Sequence, residues 1–184
     1  MVHGRVAWTV VCAWAVVFAS VAAGSLCDIS GQAQSPDDFP YSRVRTESMA
    51  LRRLLNEGIE KSPTFREVVG TINKTNGLVY VYEGRCARTF KACLLLQIQS
   101  AGPNRLLRIK VDTRERSDVE VIGSIGHELR HAFEILEDAR VTTPEHMVGV
   151  WFRGMKFSNE RFETNEAIQI GIRIREELWR LPRN

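Results

Sequence analysis

Residues 105–134 read RLLRIKVDTRERSDVEVIGSIGHELRHAFE. Two periodicities meet in this stretch. From Arg105 to Thr113 apolar and polar side chains alternate. Leu107, Ile109 and Val111 share one face, with Arg105, Arg108, Lys110 and Asp112 mostly elsewhere, as in a half-buried strand. From Ser117 the repeat lengthens to that of a helix, and Val119, Ile122, Leu129 and Leu136 fall on an apolar stripe. Ser117-Asp118-Val119-Glu120 is a capping box, in which the serine takes the Glu120 amide and the glutamate reaches back. The helix is predicted over 118–138. A strand running into an amphipathic helix points to an α+β domain.

Upstream, LVYVYE (78–83) and CLLLQIQ (93–99) are two further strands, and AGPN (101–104) is a turn. The links between the three strands are too short for crossover helices, so the sequence predicts an antiparallel three-stranded meander. Two helices precede it. SMALRRLLNEGIEK carries Met49, Leu51, Leu54, Leu55 and Ile59 at helical spacing, and a second helix spans about 63–72 before the Asn76-Gly77 turn. Downstream, Thr143-Pro144-Glu145 opens a short helix with proline at its first position. FETNEAIQIGIRIREELWRL predicts a last helix over about 160–181, its buried stripe marked by Ala167, Ile170, Ile174 and Leu178. Trp151, Phe152 and Phe157 read as core or site wall.

The N-terminal residues have a different composition. Residues 1–24 place Arg5 before an apolar run that closes in small residues, the layout of a secretory signal peptide with cleavage after Ala23, Gly24 or Ser25. The run from Val6 to Ala23 also just reaches spanning length, so an uncleaved membrane anchor is the alternative. Lipid modification of Cys27 is disfavoured by Leu26 before it. Residues 25–45 read as a flexible linker, and 46–184 as the folded domain, exported to a periplasmic or extracellular compartment. There Cys86 and Cys93, bracketing a short polar segment, are placed to close a small disulfide loop. The net charge of +3 comes from scattered residues, with no basic stripe that would mark a nucleic-acid partner.

His127, Glu128 and His131 form H-E-x-x-H. Histidines four apart on a helix share a face and can hold one ion. Glu128 is offset by about 100° from His127, beside the ion, where it can take a proton from a zinc-activated water. A catalytic zinc needs a third protein ligand. Glu137 lies at metzincin spacing but lacks the preceding glycine turn, because Glu134 stands there, and His146 follows a loop and Pro144. Glu163 and Glu166 remain. Glu163 precedes Ala167 by four and Ile170 by seven, at the edge of the buried stripe, and is the choice. Glu166 is the rival. Glu134 and Asp138 are candidates to orient the histidines.

With these residues in place, the chain resembles the zincin metallopeptidases, gluzincin type. GHELRHA and FETNEA also resemble segments of small exported bacterial proteins. The resemblance spans roughly residues 46–181, though its specific part is short. It implies a zinc-dependent peptidase of zincin-like fold, with His127, His131 and Glu163 on the metal and Glu128 as general base. It implies a peptide or protein substrate, held in extended form along the strand before the helix, here 105–112. The chain departs from the family at Glu163-Thr164-Asn165-Glu166, which replaces the Asn-Glu opening of the thermolysin-type second motif. Its oxyanion-stabilising residue is unassigned among His146, Arg130 and Arg153. Two other readings stand beside this one: a non-catalytic zinc-stabilised or peptide-binding domain, and a core helix with satisfied histidines and no metal.

Overall fold

The computed structural model describes residues 42–86, 90–114, 117–154, 156–158 and 161–180, all within the compact unit Ser35–Asn184. The leader 1–24, Cys12, Cys27 and linker residues 25–41 lie outside the described residues. So do the side chains of Trp151, Arg153 and Phe157. Among the described residues no helix is long and apolar enough to cross a membrane.

The domain is α+β. In order it contains β1 (Val44–Arg45), α1 (Met49–Lys61), α2 (Pro63–Asn73), β2 (Gly77–Glu83), β3 (Ala92–Ala101) and β4 (Asn104–Val111). Then follow α3 (Asp118–Leu136), α4 (Pro144–Gly154), β5 (Lys156–Ser158), β6 (Arg161–Glu163) and α5 (Asn165–Trp179). Local chemistry sets most boundaries. Ser48 caps α1 through the Leu51 amide. Ser62 ends α1 and caps α2, whose first residue is Pro63, by accepting from Phe65 N at 3.0 Å. Glu177 of α5 reaches this junction, accepting from Ser62 Oγ and, at 2.5 Å, from Thr64 Oγ1. A carboxylate there also meets the positive end of the α2 dipole. Ser117 caps α3 through Glu120 N, and Glu120 pairs with Lys91 of the sheet side.

The sheet corrects the antiparallel meander. Its order is β1-β2-β4-β3, with β1–β2 and β2–β4 parallel and only β3–β4 antiparallel. The tight turn at Gly102, whose φ is +61°, forces the β3–β4 hairpin. The link over 84–91 is long enough to step across one strand position, about 10 Å. Chemistry then decides which hairpin strand goes inside. β4 buries Leu107, Ile109 and Val111, whereas the outer half of β3 carries exposed Gln97, Gln99 and Ser100, suited to an edge. The β3–β4 register shifts between Leu94 and Ile98. Cys86 and Cys93 are disulfide-bonded across the β2–β3 link. Val44 of β1 is buried, so chain within the stretch read as linker joins the sheet.

Leu51, Phe65, Ile72, Ile109, Ile122, Ile125, Leu129 and Ile174 are fully buried between the sheet and helices. Each such side chain contributes about 1.5–3 kcal/mol. Arg105 departs from its expected place: it points to the buried face with Leu107 and is 5% exposed. Its guanidinium donates to the carbonyls of Leu136, Asp138 and Val141 at 2.6, 2.7 and 3.0 Å and to Asn76 Oδ1 at 2.8 Å. It thereby satisfies carbonyls at the C-terminal end of α3.

α3 crosses α5 at close range through glycines. A Cβ on Gly126 would stand 2.2 Å from Ile174 Cδ1, and one on Gly171 would stand 3.2 Å from His127 Cβ and 3.3 Å from the Gly123 carbonyl. The glycines just before H-E-x-x-H thus serve packing.

Candidate metal centre

The core of α3 positions the histidines. Leu129, Ala132 and Ile135 anchor one side of the helix, which turns His127 and His131 together toward α5, their ring centroids 4.8 Å apart. Glu163 completes the group. It does so from β6 and not from a helix, which corrects the expected last helix over 160–181. Thr164 accepts from Ala167 N at 3.1 Å, so it caps α5, and the helix begins one residue later. The chosen residue is the one at the site, but the stripe argument did not put it there.

Glu163 Oε2 stands 3.1 Å from His127 Nε2 and 3.7 Å from His131 Nε2. The three ligand atoms lie within 4.8 Å of one another. Tetrahedral zinc, with arms of about 2.0–2.1 Å, separates its ligands by about 3.3 Å. His131 Nε2 and Glu163 Oε2 are buried yet make no hydrogen bond of acceptable geometry. Two orphaned polar atoms aimed at one point, beside a second imidazole, fit a metal ion. The group His127, His131 and Glu163 can therefore hold one.

The electrostatics follow from this crowding. Burial alone would raise Glu163, but contact with both imidazoles holds its carboxyl at about 2. Burial would lower His131, but contact with Glu134 and Glu163 and the charge of Glu128 push it up to about 9. Without metal, the carboxylates thus retain a proton on the imidazole. Glu128 is raised: burial outweighs the lowering influence of the two histidines and of the Leu94 amide. Leu94 N of β3 donates to Glu128 Oε2 at 2.8 Å, tying the glutamate to the sheet.

The remaining candidates separate. Glu166 is exposed and lines a cavity of about 370 Å³ with Glu67, Arg130 and Arg173. Glu137 is exposed at the C-cap of α3, and His146 is exposed on α4. Of the two orienting candidates, Glu134 meets His131, and Asp138 pairs with Arg140 instead. Arg130 faces Glu134. The strand 105–112 cannot pair with a substrate, because β4 has neighbours on both sides. The edge strand beside α3 is β3. Comparison with family models, with curated proteins and with solved structures finds no match.

Proposed function

We propose that the protein is a zinc-dependent hydrolase, specifically a metallopeptidase, with zinc on His127, His131 and Glu163. The observation that carries this reading is the convergence of the three ligand atoms beside Glu128, two of them buried without hydrogen bonds. When bound, zinc supplies Lewis-acid polarisation of a carbonyl and a lowered pKa for water. Glu128 is the general base: it accepts the proton of the attacking water and passes it to the leaving amine. Its raised pKa makes it a better acceptor of the water proton than an exposed carboxylate. The Leu94 amide fixes one carboxylate oxygen and leaves the other to turn toward substrate. An extended peptide would lie along the edge of β3 that pairs with no strand among the described residues, its backbone pairing with the strand.

The same Leu94–Glu128 bond favours the alternative, a non-catalytic zinc-stabilised domain in which Glu128 only ties helix to sheet. Two variants of the purified chain distinguish the readings. Zinc by elemental analysis should be one per chain, and His131→Ala should lose it. Glu128→Gln should keep the metal and lose peptide hydrolysis by about 10²–10⁴-fold. Zinc bound without hydrolysis in any screened peptide pool supports the alternative; no zinc in the unaltered chain sinks both.

A further inference from the structure

We propose that Glu134 is the positioning residue of this centre, and that with Thr164 it locks the two ligand-bearing segments into register. The inference rests on the metal reading above and goes beyond it by assigning residues outside the ligand set. Glu134 lies one turn after His131 and is 8% exposed. Its Oε2 stands 3.0 Å from His131 Nδ1. A hydrogen on that nitrogen leaves the Nε2 lone pair free on the opposite side of the ring, where Glu163 waits. Its Oε1 accepts from Thr164 Oγ1 at 2.8 Å and faces Arg130 Nε at 3.2 Å.

Thr164 does two tasks with one hydroxyl. It donates to Glu134 and accepts from Ala167 N, so α5 starts only where the chain is bonded to α3. Glu163 is the preceding residue, and its carboxylate is held at a height set by that bond. One buried carboxylate therefore fixes both the tautomer of a histidine ligand and the placement of the glutamate ligand. A buried carboxylate without such partners would be costly. Here a hydroxyl, an imidazole and a guanidinium surround it.

The test measures zinc affinity of the full chain by competition with a chromophoric chelator, with the visible spectrum of the cobalt(II)-loaded protein as second readout. Glu134→Ala should weaken zinc binding by about 10–100-fold and change the cobalt spectrum, with Glu134→Gln between it and the unaltered chain. Thr164→Val, which keeps the shape and loses the hydroxyl, should do likewise, and Thr164→Ser should restore binding. Folded Glu134→Ala with unchanged affinity and spectrum would overturn the proposal. If that variant does not fold, unchanged binding by Thr164→Val does so instead. An unaltered chain that binds neither metal removes the metal reading itself and this inference with it, whereas the same affinity in the chain and in every variant removes the inference alone.

Discussion

His131 carries the sharpest consequence at the scale of single residues. Its folded pKa, about 9, lies above the ordinary 6.5, so its contribution to stability is full below 6.5 and is lost as pH rises through about 9. Glu163 has the opposite sign. Held at about 2 against an ordinary 4.5, it contributes above 4.5 and loses that contribution as pH falls through about 2. Denaturant titration of the metal-free protein should therefore give a lower stability at pH 9.5 than at 6.5. On the proposed reading, bound zinc would have to displace the His131 proton, so its affinity should climb over the same interval, and saturating zinc should flatten the stability difference. Equal stability of the metal-free chain at the two pH values would refute the proton-holding arrangement. The histidine pair is legible from spacing alone, because four residues on a helix return to one face. Glu163 is legible only in part. The three-residue strands β5 and β6 are too short to show a period, while Thr164, with Asn165 and Glu166 behind it, is the capping signal that would have moved the helix start. Glu134 is readable too, as the residue one turn beyond the second histidine.

Among the elements, the α3–α5 crossing is the most exacting. Gly171→Ala would press a methyl against His127 Cβ and the Gly123 carbonyl, and backbone cannot swing aside as a side chain can. The expected cost is about 1–3 kcal/mol in urea melts, with weaker zinc binding because α5 retreats from the histidines. An alanine variant as stable as the unaltered chain would show that the helices have slack there. Arg105 gives a second prediction. Arg105→Met keeps the apolar stem and strands three carbonyls near the end of α3, for a loss of about 3 kcal/mol; a loss under 1 kcal/mol would mean that water takes the guanidinium's place. The alternating pattern of 105–111 reveals the strand and its buried face. It does not reveal that a cation shares that face, because the partners of Arg105 arrive from residues 136–141, distant in sequence. The helices were legible to within a few residues at most ends because Ser48, Ser62 and Ser117 cap them with recognisable chemistry.

For the molecule as a whole, strand order was the part least written in local pattern. Periodicity gives strands and faces, and link lengths limit neighbours, but a strand can still be slotted between two earlier ones, as β4 is between β2 and β3. That slotting has a consequence for the order of assembly. When β2 is formed, its inner edge has no partner until residues twenty-eight positions later arrive, as in the pairing of Gly77 with Arg105. Because the β3–β4 turn is tight and the β2–β4 separation long, the expected order is that the hairpin forms first and then docks, inner strand first, onto the waiting edge. Hairpins form locally and quickly, while the docking closes a longer loop and is slow. The tip at Gly102 then sits on the path to the native state, with its φ of +61° required before docking can start. Gly102→Val should slow refolding by nearly the whole of its destabilisation and leave unfolding little changed, which stopped-flow measurements of both limbs would read. An effect confined to the unfolding limb would mean that the hairpin closes last. In that interval the folding chain would hold an unpaired strand edge open to any other extended segment nearby.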